Sequence, residues 1–107
     1  MMLSEKIVVV FRSRLRADAD LSALEAAAMR MYELASAMPG FVSYKDFTAS
    51  DGESVSIVEF ADSTSLLAWR NHPDHRRMQQ RGREEFMAEY HIQVCRLERE
   101  YAFKAGD

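Results

Sequence analysis

The feature that most constrains this chain is the run KIVVVFRSRL at residues 6–15, which begins almost entirely apolar and β-branched. Side chains alternate between the two faces of a strand, so an unbroken apolar run predicts a strand that is covered on both faces. A second such run, HIQVCRL at residues 91–97, lies near the other end of the sequence. A fold for this chain must therefore cover both faces of a sheet.

A helix is predicted for residues 20–38, where apolar residues recur at spacings of three and four and form one stripe. Ser22 and Glu25 have the S-x-x-E spacing of a capping box at its start. Pro39 and Gly40 then end the helix. The single stripe indicates a helix that packs on the rest of the protein through one face.

A β-hairpin is predicted after this helix. Residues 41–49 and 54–61 alternate in polarity on either side of Asp51 and Gly52, a pair that favours a tight hairpin turn. Residues 90–103, YHIQVCRLEREYAF, predict a last and longer strand. The chain thus contains four predicted strands.

A bent helical region is predicted between the hairpin and the last strand. Asp62 is the expected cap of a second helix, which cannot continue smoothly through Pro73, because the residue before a proline avoids the α region. We therefore expect His72 to cap a joint and Pro73 to begin a third helix. That helix is expected to end at Gly82 or, with a weak point there, at about Ala88.

The predicted order is β-α-β-β-α-β, the split arrangement of ferredoxin-like α+β folds, with an antiparallel four-stranded sheet and helices on one face. Residues 1–107 are expected to form a single domain. Helices can cover only one face of this sheet, although the first and last strands are apolar on both. The other face is expected to meet a second copy of the chain, which predicts a homodimer formed through the sheet face.

Composition excludes several classes of protein. The net charge is −3, with 14 basic and 17 acidic residues interleaved, which argues against a dedicated nucleic-acid binder. The start of the chain does not resemble a signal peptide, and no run is long enough to span a membrane, so a cytoplasmic protein is expected. Cys95 is the only cysteine and therefore forms no intrachain disulfide. Its apolar surroundings in the sequence predict a small buried side chain.

Residues 69–86, WRNHPDHRRMQQRGREEF, hold the only tryptophan, two of the three histidines and five arginines. His72 and His75 are three residues apart, but a metal site needs more ligands than this pair, and no metal is expected. Glu84 and Glu85 lie close enough to the arginines for ion pairs, which favours a solvated helix face over a nucleic-acid site.

Catalysis is the remaining interpretation of this stretch. The chain has no nucleophile elbow, P-loop or glycine-rich dinucleotide turn, so bound flavin, haem and metal are all unexpected. The indole N–H of Trp69 and a histidine that titrates near neutrality, His75, could bind and deprotonate an aromatic hydroxyl compound. Structural roles are the alternative, with Trp69 as a core anchor and His72 as a helix cap.

Several of these motifs together resemble the antibiotic biosynthesis monooxygenase domain family. The resemblance rests on MPGFVSY at residues 38–44, VSIVEFAD at 55–62 and SLLAWRNHPDHRRMQQRGREEF at 65–86, and it extends over nearly the whole chain. It implies a dimeric α+β barrel in which two sheets pack face to face. This agrees with strands that are apolar on both faces.

The resemblance also implies a site and a chemistry. Some members oxygenate polyphenolic or quinol-type substrates without metal or flavin, in a pocket between helices and sheet. They use a helical tryptophan, which Trp69 matches, and a polar ring residue about one and a half turns later, near which His75 stands in place of a tyrosine. No asparagine precedes Trp69 in its helix, and Ser65 is the expected substrate-binding residue there. Relatives that degrade haem need an asparagine on the first strand and a more distant histidine. Here the first strand has no asparagine, and the position ten residues after the tryptophan is Gln79 and not a histidine. These differences disfavour haem degradation.

Two functional hypotheses follow. The first is a cofactor-independent monooxygenase acting on an aromatic, quinol-like small molecule, with His75 as the base and Trp69 and His72 orienting the substrate. The second is a non-catalytic dimeric module that binds a small molecule on the same fold. Fold alone does not separate these hypotheses.

Overall fold

The computed structural model describes residues 5–106, and the expectation about a leader segment falls partly on residues that lie outside this range. The elements are β1 (Ile7–Leu15), α1 (Leu21–Ser36), β2 (Phe41–Thr48), β3 (Ser54–Phe60), α2 (Ser63–Arg70), α3 (Pro73–Arg81) and β4 (Met87–Arg96). A five-residue π-helix, Gly82–Phe86, joins α3 to β4. The predicted α+β order is confirmed, with the second helical segment divided in two at Pro73.

The four strands form one antiparallel sheet in the order β2-β3-β1-β4. Ile7 lies opposite Phe60 and Val9 lies opposite Val58, so these four side chains point to the same face. They are buried in one core with Ala35 of α1 and with residues of α2. We call this side the helix face. The predicted apolar stripe contributes Met31 and Ala35 of α1 to this core, and Met38 packs against it from just beyond the end of the helix.

The opposite side of the sheet, which we call the open face, carries Val8, Val10, Val55 and Ile57 at its centre. All four side chains are only half-buried. Ion pairs flank this apolar centre: Lys6 with Glu59 toward one end, and Arg12 with Glu53 toward the other. The prediction that β1 is apolar on both faces is therefore confirmed, and one of these faces has no helix against it.

The start of α1 differs from the predicted capping box. The N-cap residue is Asp20, whose carboxylate accepts a hydrogen bond from the Ala23 backbone N–H at 3.1 Å. The assignment of Ser22 as the cap was wrong, because the cap lies two residues earlier and Ser22 is within the first helical turn. Aspartate and serine are about equally favourable at an N-cap, so residue preference alone did not distinguish Asp20 from Ser22.

The last strand is displaced from its predicted bounds. It begins at Met87 instead of residue 90 and ends at Arg96 instead of residue 103. Its partner strand β1 begins at Ile7, which lies opposite Arg96. Within residues 5–106, the pairing continues beyond this point only through the hydrogen bond from the Leu97 backbone N–H to the Lys6 carbonyl. Cys95, which we expected to be buried, is exposed on the open face opposite Val8.

Two glycines have backbone conformations that other residues rarely adopt. Gly52 has a φ of 90° at the predicted hairpin turn, and Gly40 has a φ of 83° just before β2. A Cβ atom on Gly40 would lie 2.0 Å from the Ser65 hydroxyl oxygen, whereas a Cβ on Gly52 would meet nothing within 4 Å. Gly40 is thus required both by its conformation and by the close approach of α2. None of the helices in the described range is long and apolar enough to cross a bilayer.

We expect Gly40→Ala to destabilise the protein more than Gly52→Ala does. Both variants force a non-glycine residue into the left-handed region, at about 1–2 kcal/mol. Gly40→Ala adds overlap with Ser65, worth about 1–3 kcal/mol if the helix must move. Urea unfolding of the two variants measures the difference. Equal losses in the free energy of unfolding would show that α2 does not approach Gly40 this closely.

Candidate active site

The bend between α2 and α3 is built by helix caps. Asp62 begins α2 and accepts a hydrogen bond from the Ser65 backbone N–H at 2.8 Å. His72 caps α3, with its Nδ1 accepting from the Asp74 backbone N–H at 3.1 Å, and Pro73 occupies the first helical turn. The predicted caps and the joint at His72 are confirmed. Because Nδ1 accepts a backbone hydrogen bond, the neutral imidazole of His72 carries its proton on Nε2.

The bend brings Trp69 and His75 together. Their ring centroids are 4.0 Å apart, with 34° between the ring planes. Trp69 also packs on Phe60 of β3, at a centroid distance of 5.3 Å. Trp69 is 7% exposed and His75 is 5% exposed. Two of the predicted site residues are therefore stacked between the helical layer and the helix face of the sheet.

The polar atoms of this stack have few partners. The Trp69 indole Nε1 is buried and, of the atoms in residues 5–106, none accepts a hydrogen bond from it. His75 Nδ1 lies 3.4 Å from the Arg70 backbone carbonyl, a long contact. Leaving a buried donor unsatisfied costs about 1–3 kcal/mol, and such groups are rare in folded proteins. The indole N–H is therefore available to a ligand oxygen placed beside the stack.

Burial lowers the pKa of His75 below its ordinary value of 6.5. The Arg70 carbonyl acts in the opposite direction and the nearby His72 adds to the lowering, but desolvation is the largest cause. The position of His75 in the first turn of α3 also disfavours an imidazolium ion. Burial and the helix position therefore both favour a neutral ring at pH 7, and burial is the larger cause.

The other predicted residues are placed less directly. Ser65 lies one turn before Trp69 on α2, with its hydroxyl against Gly40 and its backbone N–H bonded to the Asp62 carboxylate. His72 is partly buried and serves as the cap of α3. Substrate contacts by Ser65 and His72 remain predictions.

Phe60, which packs beneath Trp69, was not identified as a candidate site residue from the sequence. The alternation of residues 54–61 predicted a strand, but the buried face of β3 depends on its pairing with the distant Ile7.

Two surface grooves in the described part of the chain lie away from the Trp69–His75 stack. The larger is about 330 Å³ and lies between α1 and β2, lined by Glu25, Ala28, Met29, Tyr32, Glu33, Tyr44 and Asp46. The smaller is about 250 Å³ and lies at the β1–β4 side of the sheet, near His91. The stack itself is closed in this structure, because both of its rings are buried.

The charged residues around the bend form ion pairs on the surface. Arg77 pairs with Asp74, and Arg81 pairs with Glu85. The interpretation as a solvated helix face is confirmed for these pairs. Within residues 5–106, no group of three or more His, Cys, Asp or Glu side chains has the arrangement of a metal site.

We expect the free energy of unfolding to decrease as the pH falls through 6.5, in part because of His75. Below this pH the unfolded chain binds a proton at His75 more readily than the folded chain does, so protonation favours unfolding. Urea titrations at pH 7 and at about pH 5.5 measure how much free energy of unfolding is lost between the two pH values. This loss should be smaller for His75→Gln than for wild type. His91→Gln, at an exposed histidine, is the control and should keep the wild-type dependence. The same pH dependence in wild type and His75→Gln would contradict the burial of this imidazole.

The chain was compared with known proteins by sequence and by structure. The family model described as antibiotic biosynthesis monooxygenase matches residues 6–81. The uncharacterized protein YqjZ of Bacillus subtilis is 26% identical over 77 residues, covering 72% of this chain and 68% of YqjZ.

Three solved structures share the fold. Rv0793 from Mycobacterium tuberculosis is 24% identical, with a TM-score of 0.78 over 91% of this chain and 99% of that chain. SnoaB, a cofactor-independent oxygenase from Streptomyces nogalater, is 14% identical, with a TM-score of 0.76 over 91% and 97% of the two chains. A dimeric ferredoxin-like protein from Thermobifida fusca is 16% identical, with a TM-score of 0.72 over 91% and 95%.

At these identities the structural likeness shows the fold alone. The family model is a separate finding: it covers β1 through α3, including Trp69, His72 and His75, and therefore more than half of the chain. This chain belongs to the antibiotic biosynthesis monooxygenase family.

Proposed function

We propose that this protein is a cofactor-independent monooxygenase that acts on an electron-rich aromatic compound of the polyphenol or quinol type. The observation that carries the proposal is the stack of Trp69 and His75, which places a buried, unpartnered N–H donor beside an imidazole that burial keeps neutral. Membership of the monooxygenase family and the shared fold with SnoaB support it. Nothing within the described range favours the alternative of a non-catalytic binding module.

In the proposed reaction His75 removes a proton from a hydroxyl group of the bound ring. The deprotonated ring is electron-rich enough to reduce O2 itself, so the substrate supplies the electrons; one oxygen atom enters the product and the other leaves as water. The Trp69 N–H would donate to a substrate oxygen as negative charge develops on it. Exclusion of water by the surrounding core strengthens this interaction.

The proposal requires the site to open, because Trp69 and His75 are both more than nine-tenths buried. The segment between them contains the joint at Asn71 and His72, where α2 ends and α3 begins. A movement of α3 about this joint would separate the two rings without disturbing the packing of Trp69 on Phe60. Closure around the substrate would then exclude water from the reacting ring.

We expect His75→Ala to lower turnover by about 10²-fold or more, the usual scale for loss of a general base. Oxygen uptake with a panel of hydroquinones and anthrones identifies an accepted substrate and then measures the effect. Trp69→Phe keeps the aromatic packing but removes the donor, and it should lower kcat while leaving the fold intact. His91→Ala is the matched control and should retain wild-type turnover. Oxidation by His75→Ala at the wild-type rate would mean that another group is the base.

We also propose that the protein forms a homodimer through the open face. Val8, Val10, Val55 and Ile57 form an apolar centre that the protein's own helices do not cover, and the T. fusca relative with this fold is dimeric. Two such sheets packed face to face would bury on the order of 2,000 Å² in total, as obligate dimers do.

Ile57→Lys should convert the dimer to monomer at micromolar concentration, because it places a charge at the centre of the proposed interface. Leu67→Lys is the control, since Leu67 is an exposed apolar residue of α2 on the other side of the sheet. Sedimentation equilibrium gives the mass of each variant. A wild-type protein that sediments as a monomer at all micromolar concentrations would rule out the dimer.

A further inference from the structure

The groove between α1 and β2 has a volume of about 330 Å³ and lies outside the candidate active site. One wall is helical: Glu25, Met29 and Tyr32 recur at spacings of four and three, so they share one side of α1. The other wall is the edge strand β2, from which Tyr44 and Asp46, two residues apart, point to the same side. We call this the α1–β2 groove.

Two tyrosine rings form a corner in the α1–β2 groove. The ring centroids of Tyr32 and Tyr44 lie 5.8 Å apart, with 72° between the ring planes. Tyr44 packs against the core, and Tyr32 meets Phe41 edge to face at 6.3 Å, so neighbouring side chains hold both rings in place. The face of an aromatic ring carries partial negative charge and attracts a cation. Two rings held at nearly a right angle are therefore typical walls of a site for an organic cation.

The charges around this corner are all negative. Of the residues that line the groove, Glu25, Glu33 and Asp46 are acidic and none is basic. Glu33 pairs with Arg30 at 3.4 Å, and Asp46 accepts a hydrogen bond from the Ser56 hydroxyl. Within residues 5–106, no basic side chain pairs with Glu25 or Asp46. The groove thus combines aromatic walls with carboxylates that lack a cation of their own.

The phenol of Tyr44 responds to the same surroundings. Burial is the largest cause that raises its pKa above the ordinary value of 10, and the charge of the Asp46 carboxylate adds to it. A hydrogen bond with Ser56 acts in the opposite direction. The phenol is therefore neutral at pH 7, and the Asp46 carboxylate lies near enough to act on a charged group bound against this ring.

We propose that the α1–β2 groove binds a small alkylammonium ion, with its cationic head against Tyr32 and Tyr44 and its alkyl part on Ala28 and Met29. The carboxylates of Glu25 and Asp46 would balance the charge of the head. This site depends neither on the proposed oxygenation nor on the proposed homodimer. It lies on the helix side of the sheet and stays open when the open faces of two copies meet.

The size and the chemistry of the groove select this class of ligand. Its volume of about 330 Å³ is at the lower end of the range for small-molecule sites, roughly 300–1,000 Å³. An anion would be repelled by the carboxylates, and a neutral compound would gain nothing from them. A compact cation with a short alkyl part uses the aromatic, acidic and apolar surfaces of the groove together.

The first test compares two compounds of nearly the same shape. Choline carries a quaternary ammonium group, and 3,3-dimethylbutan-1-ol replaces the charged nitrogen with carbon. We expect ¹⁵N-labelled protein to bind choline with a dissociation constant of about 1 mM, an ordinary affinity for so small a ligand. The neutral alcohol should bind at least about 10-fold more weakly. Shifts of amide signals should be concentrated in residues 25–33 and 44–46.

The second test removes the ring or the charge at exposed positions, where folding is little affected. Tyr32→Leu and Glu25→Gln should each raise the dissociation constant for choline by about 5-fold or more, whereas Tyr32→Phe, which keeps the ring, should bind almost as wild type does. The matched controls are Tyr101→Leu and Glu98→Gln, which change an exposed tyrosine and an exposed glutamate outside the groove. Both controls should keep the wild-type affinity.

Three results would overturn the proposal. The first is the lack of saturable choline binding by the wild type up to about 20 mM, well above the expected dissociation constant. The second is equal affinity for choline and the neutral alcohol, which would show an apolar groove without preference for a cation. The third is an unchanged affinity in both Tyr32→Leu and Glu25→Gln, which would place any bound choline elsewhere.

Discussion

The alternation of side chains along β1 is the constraint on which the rest of the structure depends. This strand is paired on both sides, with β3 and β4, and so it fixes the register of the whole ladder around it. Its odd-numbered residues Ile7 and Val9 enter the core, while Val8 and Val10 turn to the open face. A shift of one residue in this pairing would move the core-facing side chains to the open face and the open-face side chains into the core. Burial of one face therefore fixes the register. The helix face and the open face therefore follow from the same few residues.

The two faces serve different proposed purposes. Phe60 lies on the helix face of β3, and Trp69 packs against it. The candidate active site is therefore positioned by a paired strand and not by a loop. Rigid support of this kind is what an oriented donor and base require. The open face has no catalytic group assigned to it and is suited to association. The proposed chemistry and the proposed assembly thus use opposite faces of one sheet.

Local features of the fold could be predicted from the sequence because short-range chemistry determines them. The hairpin turn at Gly52, the cap at Asp62 and the joint at His72 each depend on residues within a few positions of one another. The assignment of Ser22 as a cap failed even at this range, since Asp20 satisfies the same backbone group equally well. Capping chemistry identifies suitable residues but does not choose between two that are close together.

Features that depend on distant residues were predicted less well. The end of β4 depends on its long-range pairing with β1, and Cys95 is exposed because it lies on the open face of an edge strand. For the candidate site, the sequence indicated that Trp69 and His75 belong together. It did not indicate that they would be stacked and closed, because that depends on how α3 folds back at Pro73 and on Phe60 beneath them.

The π-helix that joins α3 to β4 has a consequence for the order in which the chain folds. The Arg16 guanidinium donates to the Glu84 carbonyl, and the Arg16 backbone N–H donates to the Phe86 carbonyl, both at 2.8 Å. The side-chain contact joins residues that are 68 positions apart, and the closure of so long a loop is entropically unfavourable until other pairings hold its ends together. On this argument we expect the wide turn to form after β1 and β4 have paired. Its formation would then report the pairing of these two strands more directly than the formation of the helices does.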